Sequence, residues 1–307
     1  MPGITRTVVT MDIVVAGSHG LIGSELLERL REDGHHVRRL VRRPPQTADE
    51  REWDPDAGVL DPGHLEGADA VVNLAGAGVG DRRWTTAYKR LLLTSRTRTT
   101  GLLAARLAQV DGPPPVWVQG SAIGYYGDRG GEVLTEASAS GDGFLARLCR
   151  EWEAATEPAQ EAGVRVAHAR TGIVLSSQGG ALGRLLPLLR LGLGGRLGPG
   201  TQYWSWITLH DEVAALCHLL TAQVHGPVNL CSPHPATNAA VTRALADELH
   251  RPAGLAVPAV ALKVALGELA TDILGSQRGK PTVLEASGFS FAHPDLSDAA
   301  RWVVQEG

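Results

Sequence analysis

Three glycines, Gly17, Gly20 and Gly23, fall at three-residue spacing in Gly17-Ser18-His19-Gly20-Leu21-Ile22-Gly23. That spacing suits a diphosphate. Gly17 permits a tight reversal, Gly20 has no Cβ to keep a phosphate off the backbone, and Gly23 lets a helix pack close to the strand before it. The apolar run at residues 13–16 reads as that strand, and Leu26, Leu27 and Leu30 form a helical stripe behind the glycines. The free N–H groups of the helix start, Leu21 and Ile22 among them, then face an anion with the positive dipole end behind them. The next strand, residues 36–41, runs into Arg42-Arg43-Pro44. An acidic residue there would hold a ribose 2′-OH, whereas guanidinium groups fit a 2′-phosphate, so the expected cofactor is NADP rather than NAD. For Arg43 a solvated loop position is an equally good reading. Asn73, Ala75 and Gly76, closing a strand near residues 68–74, let the backbone pass beside the same ligand.

A second constellation follows the strand at residues 116–120: Ser121-Ala122-Ile123-Gly124-Tyr125-Tyr126-Gly127. Ligands of parallel sheets bind outside the carboxyl ends of the strands. Ser121 would orient a carbonyl or hydroxyl there, and Tyr125 or Tyr126 would handle a proton. Packing of each tyrosine against the cofactor or the substrate wall is the competing reading. Cys149, Cys217 and Cys231 are too few and too scattered for a disulfide framework or a zinc site, which fits a reducing cytoplasm and no metal. Cys149 reads as a small buried residue rather than a nucleophile.

Short apolar strands alternate with helical stripes up to residue 175, the pattern of an α/β, doubly wound parallel sheet of Rossmann type with a smaller C-terminal α/β substrate lobe. The expected division gives residues 11–175 and 207–225 to the NADP-binding domain, and 176–206 and 226–307 to the lobe. Residues 1–10 read as a disordered extension or a misassigned start, with Met11 just ahead of the first strand. Helices are expected over residues 88–108, 144–162, 187–191, 238–249 and 261–274, and a short strand at 256–258. Leu262, Leu266, Leu269 and Ile273 make an apolar side that closes the lobe. Tyr203, Trp204 and Trp206 either stack on a flat ligand or fill the lobe interface. The 307 residues carry a formal net charge of −4, which points away from nucleic acid and acidic membranes. The expected partner is a small-molecule substrate, with the chain a cytoplasmic monomer or homodimer.

These residues resemble the extended short-chain dehydrogenase/reductase family, in particular the NAD-dependent epimerase/dehydratases and their subgroup labelled epimerase family protein. The likeness rests on the glycine turn, Asn73-Leu74-Ala75-Gly76, Ser95-Arg96, Ser121 with Tyr126-Gly127, Trp152-Glu153 and Arg170-Thr171-Gly172. It continues through His210-Asp211, Gly226-Pro227-Val228-Asn229-Leu230, and Gly288-Phe289-Ser290-Phe291 in a tail resembling a domain of unknown function. The resemblance implies a nicotinamide-dependent oxidoreductase or epimerase. One departure touches chemistry. The family's Tyr-x-x-x-Lys pair, which lowers a phenol pKa from about 10, aligns with Leu145 and Cys149, or with Phe144 and Leu148 one residue earlier. Two readings follow: an enzyme in which Ser121 and Tyr125 or Tyr126 act instead, or an NADP-binding protein without the usual proton chemistry, a sensor or partner-binding module.

Overall fold

The computed structural model describes residues 10–305. Seven strands form one sheet: β1 (Asp12–Ala16), β2 (His36–Val41), β3 (Glu50–Glu52), β4 (Ala70–Asn73), β5 (Val116–Ala122), β6 (Arg165–Thr171) and β7 (Gly226–Leu230). Their spatial order is β7-β6-β5-β4-β1-β2-β3, and every neighbouring pair is parallel. Alternation along β1 explains the layers. Ile13 and Val15 face one side, where they pack with Leu26 and Leu30 of α1 (Leu21–Glu32) and Val213 and Leu216 of α6 (Leu209–Thr221). Val14 and Ala16 face the other, against Leu103 and Leu107 of α2 (Thr86–Leu107) and Ala159 of α4 (Glu157–Glu161). All four residues of β1 named here are fully buried, so the strand reads as an unbroken apolar run, as both-face burial requires. The sequence reverses direction across the sheet between β1 and β4, which is where such folds place ligands.

Several expected elements are redrawn. The helix expected over 144–162 is two, α3 (Phe144–Ala154) and α4. Pro158 lacks an N–H and crowds the preceding turn, so α3 cannot run on through it. The helix expected over 261–274 is likewise two, α8 (Ala259–Leu266) and α9 (Leu269–Leu274), separated at Gly267, whose φ of 63° lies outside helical space. Residues 256–258 form no strand, only a single bridge from Val257 to Leu197. The short helix expected at 187–191 is α5 (Leu182–Arg190), and α7 spans Asn238–Glu248. Residues 226–230, grouped with the lobe by the expected division, are the edge strand of the main sheet. The C-terminal segment also rejoins the sheet layers: α10 (Thr282–Ala286) packs Leu284 into the same cluster as Ile13 and Val228. Trp204 and Trp206 fill a separate core with α5, α7 and α11 (Leu296–Gln305), which favours the interface reading of those aromatics. The question of residues 1–10 lies, all but Thr10, outside the described residues. No helix among the described residues is long and apolar enough to cross a membrane.

Candidate functional site

The glycine turn and the loop after β4 meet at the reversal point. Gly17 has a φ of 85°, and a Cβ there would lie 2.6 Å from the carbonyl carbon of Leu74. A Cβ on Gly23 would lie 2.1 Å from Gly17 O, so α1 rests on the turn itself. Gly20 is different. It is exposed, and a Cβ there would find only Gly17 O, at 3.7 Å. Gly20 is also the N-cap of α1 and offers no side chain to the helix's first amides. The turn therefore presents unsatisfied backbone donors across open space, the arrangement that receives a diphosphate. Leu21 leans on the loop at Gly180, where a Cβ would come 3.1 Å from Leu21 Cδ2.

The arginines after β2 separate into two roles. Arg43 donates from Nη1 and Nη2 to the two oxygens of Glu50, at 2.7 Å each, and Glu50 also pairs with Arg39. The Arg43 guanidinium holds the Glu50 carboxyl down at about 2, and this bidentate pair leaves Arg43 committed to the fold. Arg42 is exposed, makes no hydrogen bond or ion pair among the described residues, and lines a cavity of about 30 Å³ with Asp56, Ser95 and Arg98. Asn73 turns inward. Its Nδ2 donates to Thr100 Oγ1 and Gln119 Oε1, and its Oδ1 accepts from the N–H of Ala75. The side chain shapes the β4 turn, in which Ala75 is half-buried and Gly76 exposed.

At the end of β5, five charged or polar side chains lock together. Arg170 on β6 donates from Nε and Nη2 to the two oxygens of Glu153 on α3, each at 2.8 Å, and Ser121 Oγ donates to the same carboxylate at 2.6 Å. Arg170 Nη1 donates to the hydroxyl of Tyr126, which donates in turn to Asn229 Oδ1 on β7, both at 2.9 Å. Tyr126 is fully buried, and burial pushes its phenol up to about 12 against the nearby Arg170 charge. Its proton and its acceptor site are both occupied. Tyr125 is half-buried; the Arg170 guanidinium lies 3.4 Å from its ring centre, and its hydroxyl has no hydrogen-bond partner among the described residues.

Residues 13–231 match the NAD dependent epimerase/dehydratase family, and residues 257–303 match a domain of unknown function, DUF1731. The chain is 46% identical over 294 residues to epimerase family protein Mb2239 of Mycobacterium bovis, spanning 95% of this chain and 97% of that protein. The chain belongs to the NAD dependent epimerase/dehydratase family. A crystal structure of human epimerase family protein SDR39U1 with NADPH shares its fold with a TM-score of 0.89 at 33% identity, covering 96% of this chain and 100% of that one. A structure described as the nucleoside-diphosphate sugar epimerase from Corynebacterium glutamicum gives a TM-score of 0.80 at 35% identity, over 97% of this chain and 59% of that one.

In this family member, α3 contains neither tyrosine nor lysine. Leu145 packs beneath Gly124, where a Cβ would approach it to 3.2 Å. Cys149 is fully buried, its Sγ faces Ala122 O at 3.6 Å, and burial pushes the thiol up to about 12. Trp84, Tyr88, Trp152 and Leu269 surround it, with Leu266, Ile273 and Tyr125 at the edge. The α8–α9 stripe thus closes over α2 and α3, and Lys89 pairs with Glu268 across the join. Glu153 and Arg170 hold the site together without having been assigned roles from the sequence; their signal was a charged residue standing in an otherwise apolar stripe. Elsewhere, His210, Asp211 and His293 each bring one potential metal-ligand atom within 4.8 Å of the others. The Asp211 oxygens accept the N–H groups of Ala292 and His293, tethering the C-terminal segment to the start of α6.

Proposed function

We propose that the chain is an NADP(H)-dependent oxidoreductase or epimerase acting on a small substrate, with the segments beyond β6, other than α6 and β7, covering the pocket. The observation that carries the reading is the open, uncapped start of α1 behind Gly20, with Arg42 free at the end of β2. NADPH in the human relative supports the same choice of cofactor. Gly17, Gly20, Leu21, Ile22 and Gly23 would supply the diphosphate cradle, Arg42 the 2′-phosphate contact, and Ala75 and Gly76 the opposite wall. When bound, the cofactor supplies hydride chemistry. The chain's own contribution is orientation and proton handling. Ser121 is held by Glu153, and Tyr125 is the tyrosine whose hydroxyl is left to meet a ligand. A second reading, an NADP-binding sensor without turnover, is favoured by one observation: α3, on which the family's Tyr-x-x-x-Lys pair would align at Leu145 and Cys149 or at Phe144 and Leu148, contains neither tyrosine nor lysine.

A titration tests the cofactor reading. Tight NADPH binding, weaker NADH binding and loss of the preference in Arg42→Glu are expected. Equal affinity for both cofactors in the parent protein would remove the assignment of Arg42. Screening NADPH oxidation over aldehydes, ketones, sugars and quinones separates the two readings, and any activity found should disappear in Tyr125→Phe.

A further inference from the structure

Two imidazoles face one buried carboxylate where α6 begins. Asp211 is 1% exposed. His210 Nδ1 lies 3.6 Å from its Oδ1, and His293 Nδ1 lies 3.8 Å from its Oδ2. Both separations are too long for hydrogen bonds. They are close to the spacing of neighbouring ligand atoms around a tetrahedral cation, roughly 3.3 Å for bonds of about 2.0–2.1 Å. The ligand atoms of the three side chains all fall within 4.8 Å of one another, and among the described residues no other three His, Cys, Asp or Glu side chains gather in this way. His293 Nδ1 is also enclosed, with no hydrogen-bond partner among the described residues. A buried polar atom without a partner is costly, and a metal ion between the two rings and the carboxylate would satisfy this one.

The surrounding structure holds these groups in place. The Asp211 oxygens accept the N–H groups of Ala292 and His293 at 2.8 and 3.0 Å. Those bonds favour the ionised carboxylate and leave each oxygen a second lone pair. The His210 and His293 rings meet edge to face with centres 5.4 Å apart, and Trp302 of α11 packs against both, 5.4 Å from His293 and 6.2 Å from His210. Packing, not a bond to the carboxylate, therefore sets the rings. His210 is exposed and opens the cluster to solvent, so an ion can enter and keep a water in the remaining coordination position. Two imidazole nitrogens and one carboxylate suit zinc and its neighbours in the transition series better than magnesium or calcium, which take oxygen ligands. The positive end of α6 opposes a cation here, an effect small beside three ligand bonds. The scattered cysteines give no zinc motif, and His210 and His293 stand too far apart in the chain to form one.

We propose that His210, Asp211 and His293 bind one divalent transition-metal ion, zinc by its donor set, which clamps the C-terminal segment onto the start of α6. Two of the ligands belong to the part of the chain that matches the epimerase/dehydratase family, and the third belongs to the part that matches DUF1731. The ion thus ties the two matched regions together and reinforces the bonds that Asp211 already makes to residues 292 and 293.

The test uses the full chain without an affinity tag, stripped with EDTA, desalted and titrated near neutral pH with Zn²⁺ alone by calorimetry, with melting temperature followed alongside. Co²⁺ is the spectroscopic substitute, because its visible absorption is strong in a four-coordinate site and weak in water. The parent should take up one equivalent of Zn²⁺ with a Kd of about 10 μM or below, melt at a higher temperature with the ion bound, and give the four-coordinate Co²⁺ spectrum. His210→Gln and His293→Gln should each weaken Zn²⁺ by at least about tenfold and lose both the rise in melting temperature and the Co²⁺ spectrum. His210→Gln changes an exposed side chain, so its metal-free melting temperature should stay near that of the parent, which separates loss of a ligand from loss of the fold. A parent that takes up no Zn²⁺ overturns the proposal. Zn²⁺ binding undiminished in both variants overturns it as well, and assigns the ion to other groups such as the half-buried Cys217. Should His293→Gln fail to fold, His210→Gln decides the question alone. No NADPH enters these titrations, so neither outcome bears on the cofactor reading.

Discussion

A hydroxyl clamped between a guanidinium donor and an amide acceptor is a strut, and Tyr126 is one. Removing its oxygen leaves Arg170 Nη1 and Asn229 Oδ1 each short of a buried partner. Tyr126→Phe should therefore cost about 1–3 kcal/mol in urea unfolding while leaving NADPH affinity intact. Tyr125→Phe removes a hydroxyl with no protein partner and should change stability by less than about 0.5 kcal/mol. Equal, small effects of both changes would mean that the Arg170 network adds little. The pair was legible in the sequence as two tyrosines after a strand, but their division of labour was not. A 3-10 turn at Ile123–Tyr126 carries them off the strand, so strand alternation does not say which one points inward. Glu153 and Arg170 are 17 residues apart and meet only because α3 folds back over β5 and β6.

The elements around the glycine turn make opposite demands on its members. Gly23 is glycine because α1 touches the turn; a methyl 2.1 Å from Gly17 O cannot be accommodated without moving the helix. Gly23→Ala should lower stability by about 1–3 kcal/mol, the usual range for overpacking, with a corresponding fall in melting temperature. Gly20→Ala has room in the protein itself, so its melting temperature without ligand should stay near that of the parent. Its NADPH affinity should fall at least about tenfold, because the methyl occupies the space in which the phosphates approach the backbone. A Gly20→Ala protein that binds NADPH normally would place the diphosphate elsewhere. The turn was readable because strand, glycine spacing and helix stripe agree within twenty residues. Arg43 shows the limit of that local view: its partner Glu50 belongs to the next strand, and nothing in Arg42-Arg43 tells which guanidinium the fold claims.

Across the whole molecule, the doubly wound core was legible because β1, β4 and the start of β5 are short apolar runs ended by turn residues. The parts held by long-range pairing were not. Residues 203–204 pair with 236–237, and 278–279 with 133–134, in ladders of two residues each, too short to leave a pattern. One group reports on how the assembled layers close. Glu212, in the first turn of α6, is fully buried; Thr171 Oγ1 at the end of β6 donates to its Oε1 at 2.6 Å, and Oε2 has no partner. Burial raises this carboxyl from 4.5 to about 8. Well below 4.5 the folded and unfolded chains both hold the proton, and Glu212 adds no slope. Between that value and about 8 the unfolded chain releases the proton while the folded chain keeps it, so stability falls as pH rises. Above this range the full penalty, on the order of 2–4 kcal/mol after relaxation, is in place. Glu212→Gln keeps an acceptor for Thr171 and cannot ionise. Its melting temperature should match or trail that of the parent at pH 5 and exceed it at pH 9, with the gap opening steadily between. Parallel curves across that range would show that water or a rearranged partner reaches the carboxylate, and that the layers are less tightly closed at the start of α6 than its burial indicates.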